Sequence, residues 1–132
     1  HHALLNTEAY KKQGLFVKMN PPLRAEEDRK AIFDSLILGD IDWIESDHAP
    51  HTMKDKETGA SGVPGFAGTL LLIKALRKAG VSEEKLNILC GEKVNEVFGF
   101  NQPIDVPTNE RIDEVLSEVR KAYPFDAFAD IT

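Results

Sequence analysis

The sequence has 132 residues, of which 42% are hydrophobic and 29% charged, a composition typical of one ordinary globular domain. The net charge of −6 and the lack of a basic patch argue against nucleic acids and anionic membranes as partners. Cys90 is the single cysteine, so no intrachain disulfide can form and a reducing, cytoplasmic location is expected. No stretch has the length and apolarity of a membrane-spanning helix.

The start of the chain predicts that it is a piece of a longer protein. It begins at His1 rather than at methionine and runs at once into apolar residues, as if the sequence started inside an element. We therefore expect a fragment, with the end of a strand and its exit loop at residues 1–5.

The next part of the chain is predicted to alternate helices with short extended segments. A short helix follows Asn6 or Thr7, whose side chains can accept the free N–H groups of its first turn, and residues 15–19 are predicted to be extended. Residues 25–38 have apolar positions at helical spacing and acidic residues in the first turn, where the helix dipole favours anions. Residues 41–45 are predicted as a strand, which forms an αβ unit with the helix.

The remainder is predicted to be a long loop followed by helices. Residues 47–68 are polar and rich in glycine, so we expect a functional loop in which Lys54 and Lys56 are solvated. Glycines and a linker with two prolines separate the helices that follow. These helices are predicted over residues 69–79, 82–90, 92–98 and 110–123, and the apolar tail 125–132 is expected to dock.

Seven residues, Ser46-Asp47-His48-Ala49-Pro50-His51-Thr52, concentrate reactive groups directly after the predicted strand. In parallel α/β architectures, catalytic groups gather at the carboxyl ends of strands. Asp47 can bind a divalent metal such as zinc, or it can take a proton from a metal-bound water. The alternative is that Asp47 caps the next turn while His48 and His51 lie in solvent, which is the commoner outcome for such spacing.

The context of this run resembles the dihydroorotase family of cyclic amidohydrolases, in its long class with the Asp-His-Ala-Pro-His signature. Several motifs in the family's order carry the resemblance: HHALL at the start, KMNPPLR, SDHAPHT and GEKVNEVFGF. The resemblance implies an α/β fold, the C-terminal part of a (β/α)8 TIM-type barrel of the metal-dependent amidohydrolase superfamily. The chain would be a helix-rich, incomplete barrel.

The resemblance also implies roles for individual residues. Asp47 matches the catalytic aspartate that contacts zinc and shuttles the proton of the attacking hydroxide. Asn20 and His51 match residues that hold the substrate, and the backbone at Gly65 looks like the family's substrate-binding loop. His2 resembles a histidine that contacts the metal in some members only.

The implied activity is the reversible cyclisation of N-carbamoyl-L-aspartate to L-dihydroorotate in pyrimidine biosynthesis, with one or two zinc ions as cofactor. The chain lacks the family's His-x-His and its other metal-binding histidines, so the isolated chain is expected to be inactive without the remaining part of the barrel. The C-terminus departs from the family, which continues into a small β domain. We therefore assign residues 1–100 to the barrel and residues 101–132 to a linker, an amphipathic helix and a tail.

Two kinds of alternative stay open. The chain can be a non-catalytic assembly module or one piece of a split enzyme, which would associate with its missing half or form a homo-oligomer through exposed edges. It can also derive from an allantoinase or hydantoinase, which share the barrel and the aspartate. His51, directly after Ala49-Pro50, favours dihydroorotase and a small-molecule substrate.

Overall fold

The computed structural model describes residues 1–131, and its regular structure is helical. A 3-10 turn over Gly14–Val17 follows the first helix, and a π-type turn over Ile88–Glu92 joins the fifth helix to the sixth. Within the described residues, no helix is long and apolar enough to cross a membrane. The helices are α1 (Glu8–Gln13), α2 (Glu26–Leu38), α3 (Met53–Glu57), α4 (Phe66–Lys78), α5 (Glu83–Asn87), α6 (Lys93–Phe98) and α7 (Asn109–Lys121).

Polar side chains and glycines explain where several helices begin and end. Thr52, Ser82 and Thr108 each accept, through the side-chain oxygen, a hydrogen bond from the backbone N–H three residues further on. Such a bond satisfies a donor that the first turn of a helix leaves free. Helix α2 ends at Gly39, whose φ of 96° is left-handed and suits glycine. The predicted helices are confirmed, with ends that differ by at most three residues.

The predicted strands are wrong for the part of the chain that the structure describes. Residues 1–5 contain a turn, residues 15–19 lie partly in the 3-10 turn, and residues 41–45 have no regular structure. Within residues 1–131, β-type pairing is limited to one isolated parallel bridge between His48 and Val63. The α/β prediction is therefore confirmed in its helical part alone, and the incomplete barrel stays a prediction.

The physical reason lies in the pairing that a strand requires. A strand is held by a ladder of hydrogen bonds to a neighbour, and its own sequence cannot supply that neighbour. Ile44 makes one backbone bond, from its N–H to the carbonyl oxygen of Leu89 at 2.9 Å. The side chains of Ile41 and Ile44 pack against a buried hydrophobic cluster, so the apolar pattern records burial rather than strand pairing.

Two buried hydrophobic clusters hold the helices together. The first joins α1, α4 and α7 to the C-terminal tail, with Val17 and Phe128 fully buried. The second joins α2, α4 and α5, with Leu76 and Leu86 fully buried. Burying a side chain of this kind is worth about 1.5–3 kcal/mol. The tail docks as predicted up to residue 131, and Thr132 lies outside the described residues.

The segment between Asp47 and Gly68 is more ordered than the predicted loop. Helix α3 forms in its middle, and α4 begins at Phe66, three residues before the predicted start. The prediction that Lys56 is solvated is wrong, because its side chain is fully buried and its ammonium group donates to three backbone carbonyls. Hydrogen bonds to those carbonyls offset the cost of removing the charge from water.

Candidate active site

A cleft of about 260 Å³ lies between the N-terminal segment, α2 and residues 41–47. Most of its wall is apolar, and its polar groups are two imidazoles and two carboxylates. A mainly apolar cleft with a few convergent polar groups is the usual form of a small-molecule site. The apolar wall includes Pro21, Ile32, Leu36, Ile41, Trp43, Ile44 and Leu72, and the polar groups belong to His1, His2, Glu45 and Asp47.

Asp47 lies at this cleft with its side chain 63% exposed. Its φ of 44° is left-handed, a conformation that Asn and Asp adopt more readily than other non-glycine residues. Its Oδ2 atom is 3.9 Å from Nε2 of His1, whose side chain is 5% exposed. An accessible carboxylate beside an imidazole is suited to accept a proton from a bound molecule and pass it on.

The two N-terminal histidines form a compact pair beside Asp47. Their rings pack edge to face with centroids 4.3 Å apart. His1 Nδ1 and His2 Nε2 are buried and have no hydrogen-bond partner within the described chain. Burial lowers the pKa of the His2 imidazole, against the opposing effect of Asp47, and the neutral imidazole is the form that binds metals. Sequence reasoning named His2 and passed over His1, although the His-His pair was the available signal.

His48 is fixed by contacts on both ring nitrogens, so the alternative in which it lies in solvent is wrong. Its Nδ1 accepts the Gly65 N–H at 3.2 Å, and its Nε2 lies 2.9 Å from the hydroxyl of Tyr123. Because a backbone amide can only donate, Nδ1 carries no proton, and the neutral ring donates from Nε2 to Tyr123. Phe66 stacks on the ring with centroids 3.7 Å apart. Sequence reasoning missed Tyr123, which lies just beyond the C-terminal end of α7 and 75 residues from His48.

Gly65 packs against the turn that carries Asp47. A Cβ atom at Gly65 would lie 2.1 Å from the carbonyl oxygen of Ser46, so no other residue fits without moving the backbone. The N–H that was predicted to bind substrate is engaged by His48. The structure therefore packs Gly65 against the residues on either side of Asp47, with its N–H already engaged, and its contact with substrate stays a prediction.

His51 and Asn20 lie apart from the Asp47 cleft. The Nε2 atom of His51 donates to the carbonyl oxygen of Ser61 at 2.9 Å, and the residue lines a second hollow of about 450 Å³ with Tyr123. Asn20 is exposed on the surface, next to Pro21 in the cleft wall. Asp47 thus lines the cleft and Gly65 packs against its chain neighbours, while His51 lines a separate hollow and Asn20 lies on the surface.

The residues present fit part of a zinc site. Among residues 1–131, no group of three or more His, Cys, Asp and Glu side chains is placed to hold a metal ion. Zinc sites in proteins have three or four protein ligands. Asp47 and the unpaired nitrogens of His1 and His2 can supply some of those ligands and do not make a complete set.

Comparison with curated proteins finds dihydroorotases. The chain is 41% identical over 101 residues to the dihydroorotase of Archaeoglobus fulgidus, a match that covers 76% of this chain and 25% of that protein. It is 35% identical over 121 residues to the dihydroorotase of Halobacterium salinarum, covering 88% of this chain and 29% of that protein. It is 44% identical over 106 residues to the dihydroorotase of Macrococcus caseolyticus, a match that covers 76% of this chain and 25% of that protein.

The chain therefore spans between a quarter and a third of the length of these relatives. No family model matches it.

Proposed function

We propose that this chain, which is related in sequence to dihydroorotases, is the C-terminal portion of a metal-dependent cyclic amidohydrolase with a TIM-type barrel. The enzyme would interconvert dihydroorotate and N-carbamoyl-aspartate in pyrimidine biosynthesis. The observation that carries the proposal is the match itself, which covers at least three quarters of the chain with three relatives that bear the same name. The position of Asp47 at a cleft supports it.

The reaction needs a group that moves a proton, and Asp47 is suited to that role. Opening the ring adds water to an amide carbonyl, so the attacking oxygen loses a proton and the departing nitrogen gains one. The exposed carboxylate of Asp47 can take the first proton and deliver it, with His1 at 3.9 Å. Zinc, when bound, supplies the polarisation of the carbonyl and a more acidic water.

The substrate is an anion, and an acidic chain must hold it through local donors. The side chains of Asn20 and His51 and the backbone N–H of Gly65 are our candidates for these donors. Because the Gly65 N–H bonds to His48, and His51 bonds to Ser61, substrate binding at either group requires an exchange of partners. The net charge of −6 makes such dedicated donors necessary.

The rest of the active site would come from a longer polypeptide. The chain spans about a quarter of the relatives, and its described residues hold an incomplete ligand set. We propose that the other zinc ligands and the barrel strands belong to the remaining part, and that the isolated chain is inactive. The same incomplete set favours a second candidate, a split-enzyme piece or non-catalytic assembly module. The single free thiol, Cys90, supports a cytoplasmic location.

A substrate panel tests the proposed function. The intact polypeptide that contains this chain is assayed with zinc on dihydroorotate, hydantoin and allantoin, beside the isolated chain. We expect turnover of dihydroorotate by the intact polypeptide and none by the isolated chain. Turnover of hydantoin or allantoin without dihydroorotate would overturn the assignment to dihydroorotase. Inactivity of the intact polypeptide on all three compounds would favour the assembly module.

A further inference from the structure

We propose that Lys56 is a positioning residue for the candidate site, because its ammonium group fastens together the two backbone segments on which Asn20 and His51 depend. The functional part of this inference rests on the proposed function, which gives Asn20 and His51 their contact with substrate. The structural part rests on the contacts of Lys56 alone.

The ammonium group of Lys56 lies in a cage of backbone carbonyls. Its Nζ atom donates to the carbonyl oxygens of Lys18 at 2.9 Å, Ala60 at 2.9 Å and Gly62 at 2.7 Å. An ammonium group has three N–H donors, so the cage uses all of them. The side chain is 0% exposed, and lysine is almost never fully buried unless its charge is partnered.

The first fastened segment leads to Asn20. Lys18 lies two residues before it, and its carbonyl oxygen also accepts the Gly62 N–H at 3.0 Å. The side chain of Lys18 in turn donates to the carbonyl oxygen of Gly59 at 2.6 Å. Residues 59–62 are thus hydrogen-bonded to the segment before Asn20 through both the backbone and the side chain of Lys18, and Lys56 bonds to both segments.

The second fastened segment orients His51. Ser61, whose carbonyl oxygen accepts from His51 Nε2, lies between Ala60 and Gly62, the two residues whose carbonyls Lys56 holds. Gly62 also packs tightly, since a Cβ atom there would lie 2.7 Å from Cβ of Ala49 and 3.1 Å from His51 Nε2. If residues 60–62 move, the acceptor that fixes the His51 ring moves with them.

The charge of Lys56 is balanced by carbonyl dipoles rather than by a carboxylate. Among residues 1–131 it takes part in no ion pair, and the ring of Phe125 lies 5.8 Å from Nζ, within the range of a cation–π contact. Burial lowers the pKa of Lys56, and the nearby ammonium of Lys18 lowers it further. A planar guanidinium fork does not match three converging carbonyls, so arginine is a poor replacement.

The first experiment measures kinetics in the intact polypeptide. Lys56→Met keeps an unbranched side chain, one atom shorter, and removes its donors, and Lys54→Met is the control, an exposed lysine on the same helix. We expect Lys56→Met to raise KM for dihydroorotate about tenfold or more through misplaced binding groups, with kcat within about threefold. Partial unfolding would lower the apparent kcat and leave KM unchanged. An unchanged KM, or an equal rise in the control, would overturn the positioning role.

The second experiment does not depend on catalysis. Amide hydrogen exchange is followed in the same variants, and Lys56→Met should accelerate exchange at residues 59–62 about tenfold while α4 and α7 keep their rates. Unchanged exchange at residues 59–62, or acceleration throughout the protein, would overturn the proposal. If the wild-type polypeptide has no dihydroorotate turnover, the proposed function fails, and the exchange rates still decide whether Lys56 holds these segments.

Discussion

Hydrogen bonds determine which ring nitrogen of His48 carries the proton. The Gly65 amide must donate to Nδ1, so the proton of the neutral ring lies on Nε2, facing Tyr123. The carbonyl of Ser61 places a proton on Nε2 of His51 by the same reasoning, because a carbonyl can only accept. Each neutral ring of the SDHAPHT run is therefore held in one tautomer by a backbone group in the segment 61–65.

Tyr123→Phe tests this arrangement. The substitution removes the acceptor of the His48 Nε2–H, and we expect a loss of about 1 kcal/mol in the free energy of unfolding by urea. At a pH where both imidazoles are neutral, nitrogen-15 spectra of the wild type should show an unprotonated Nδ1 for His48 and His51. A protonated Nδ1 on neutral His48 would contradict the assigned donor and acceptor roles.

Glu26 ties the segment that carries His1 and His2 to α2. Its carboxylate accepts from the side-chain amide of Asn6 at 2.6 Å and from two nitrogens of Arg29 at 2.6 and 2.7 Å. Arg29 also donates to the carbonyl oxygen of Ala3 at 3.1 Å. The pKa of Glu26 is lowered from 4.5 to about 2 by the hydrogen bonds that its carboxylate accepts. Those from Arg29 contribute most, and that from Asn6 comes next.

The direction of this shift fixes a pH dependence. Below pH 4.5 the unfolded chain binds a proton at Glu26 that the folded chain does not, so stability falls as the pH falls towards about 2. The urea midpoint of the wild type should exceed that of Glu26→Gln above pH 4.5, and the difference should vanish near pH 2. Glu27→Gln, an exposed neighbour, is the control. A difference that persists down to pH 2 would exclude the ionised carboxylate as its source.

At the scale of elements, α4 and the C-terminal tail are fitted to each other. Gly68 on α4 leaves room for the ring of Phe128, since a Cβ atom there would lie 2.4 Å from Cζ of that ring. Phe128 is fully buried in the first hydrophobic cluster. Helices α4 and α7 also pack against each other, so this end of the chain is part of the core.

Shortening the Phe128 side chain, which anchors the tail in the core, should lower the stability of the protein. Phe128→Ala is expected to lower the free energy of unfolding by about 3–5 kcal/mol, because it opens a cavity in the core. Phe100→Ala, where the side chain is 56% exposed, is the matched control and should cost less than about 1 kcal/mol. Urea unfolding of both variants gives the comparison, and equal losses would mean that the tail is not anchored through Phe128.

The helices were predictable because their signals are local. Ser82 and Thr108 cap their helices through residues three positions away, and Gly39 ends α2 by its own backbone freedom. The strand predictions were wrong and the burial of Lys56 was missed, since strand pairing and burial both depend on groups brought from elsewhere in the fold. The cage of Lys56 includes a carbonyl 38 residues away in the chain.

The same distinction holds for the candidate site. Asp47 and Gly65 were identified from sequence motifs, and the structure packs Gly65 against Ser46, the residue before Asp47. The contact of His1 with Asp47 and that of Tyr123 with His48 join residues more than forty positions apart. Motif reasoning names residues, and only the fold shows which of them touch.

At the scale of the whole molecule, an aromatic face is exposed beside the cleft. It consists of Trp43, Phe98 and Phe100, with ring centroids 6.0 Å and 5.8 Å apart along the series. Phe98 is 58% exposed and Phe100 56% exposed. Contiguous apolar surface of this kind usually marks an interface. Under the proposed function, the remaining part of the polypeptide covers it.

The isolated chain should therefore associate with itself through this aromatic face. Sedimentation velocity at increasing concentration should show reversible association, and the double variant Phe98→Ser/Phe100→Ser should weaken it about tenfold or more. Leu15→Ser, at an exposed residue on the 3-10 turn, is the control. Monomeric behaviour of the wild-type chain, or an equal effect of the control, would argue against an interface at this face.

The most direct test of the central claim is ring opening of dihydroorotate by the intact polypeptide with and without Asp47. Asp47→Asn keeps the size of the side chain and removes the group that relays the proton, and Asp42→Asn, at an exposed aspartate nearby, is the control. We predict that Asp47→Asn lowers kcat about 10²–10⁴-fold, while the control stays within about threefold of the wild type. Dihydroorotate turnover by Asp47→Asn at the wild-type rate would contradict the account.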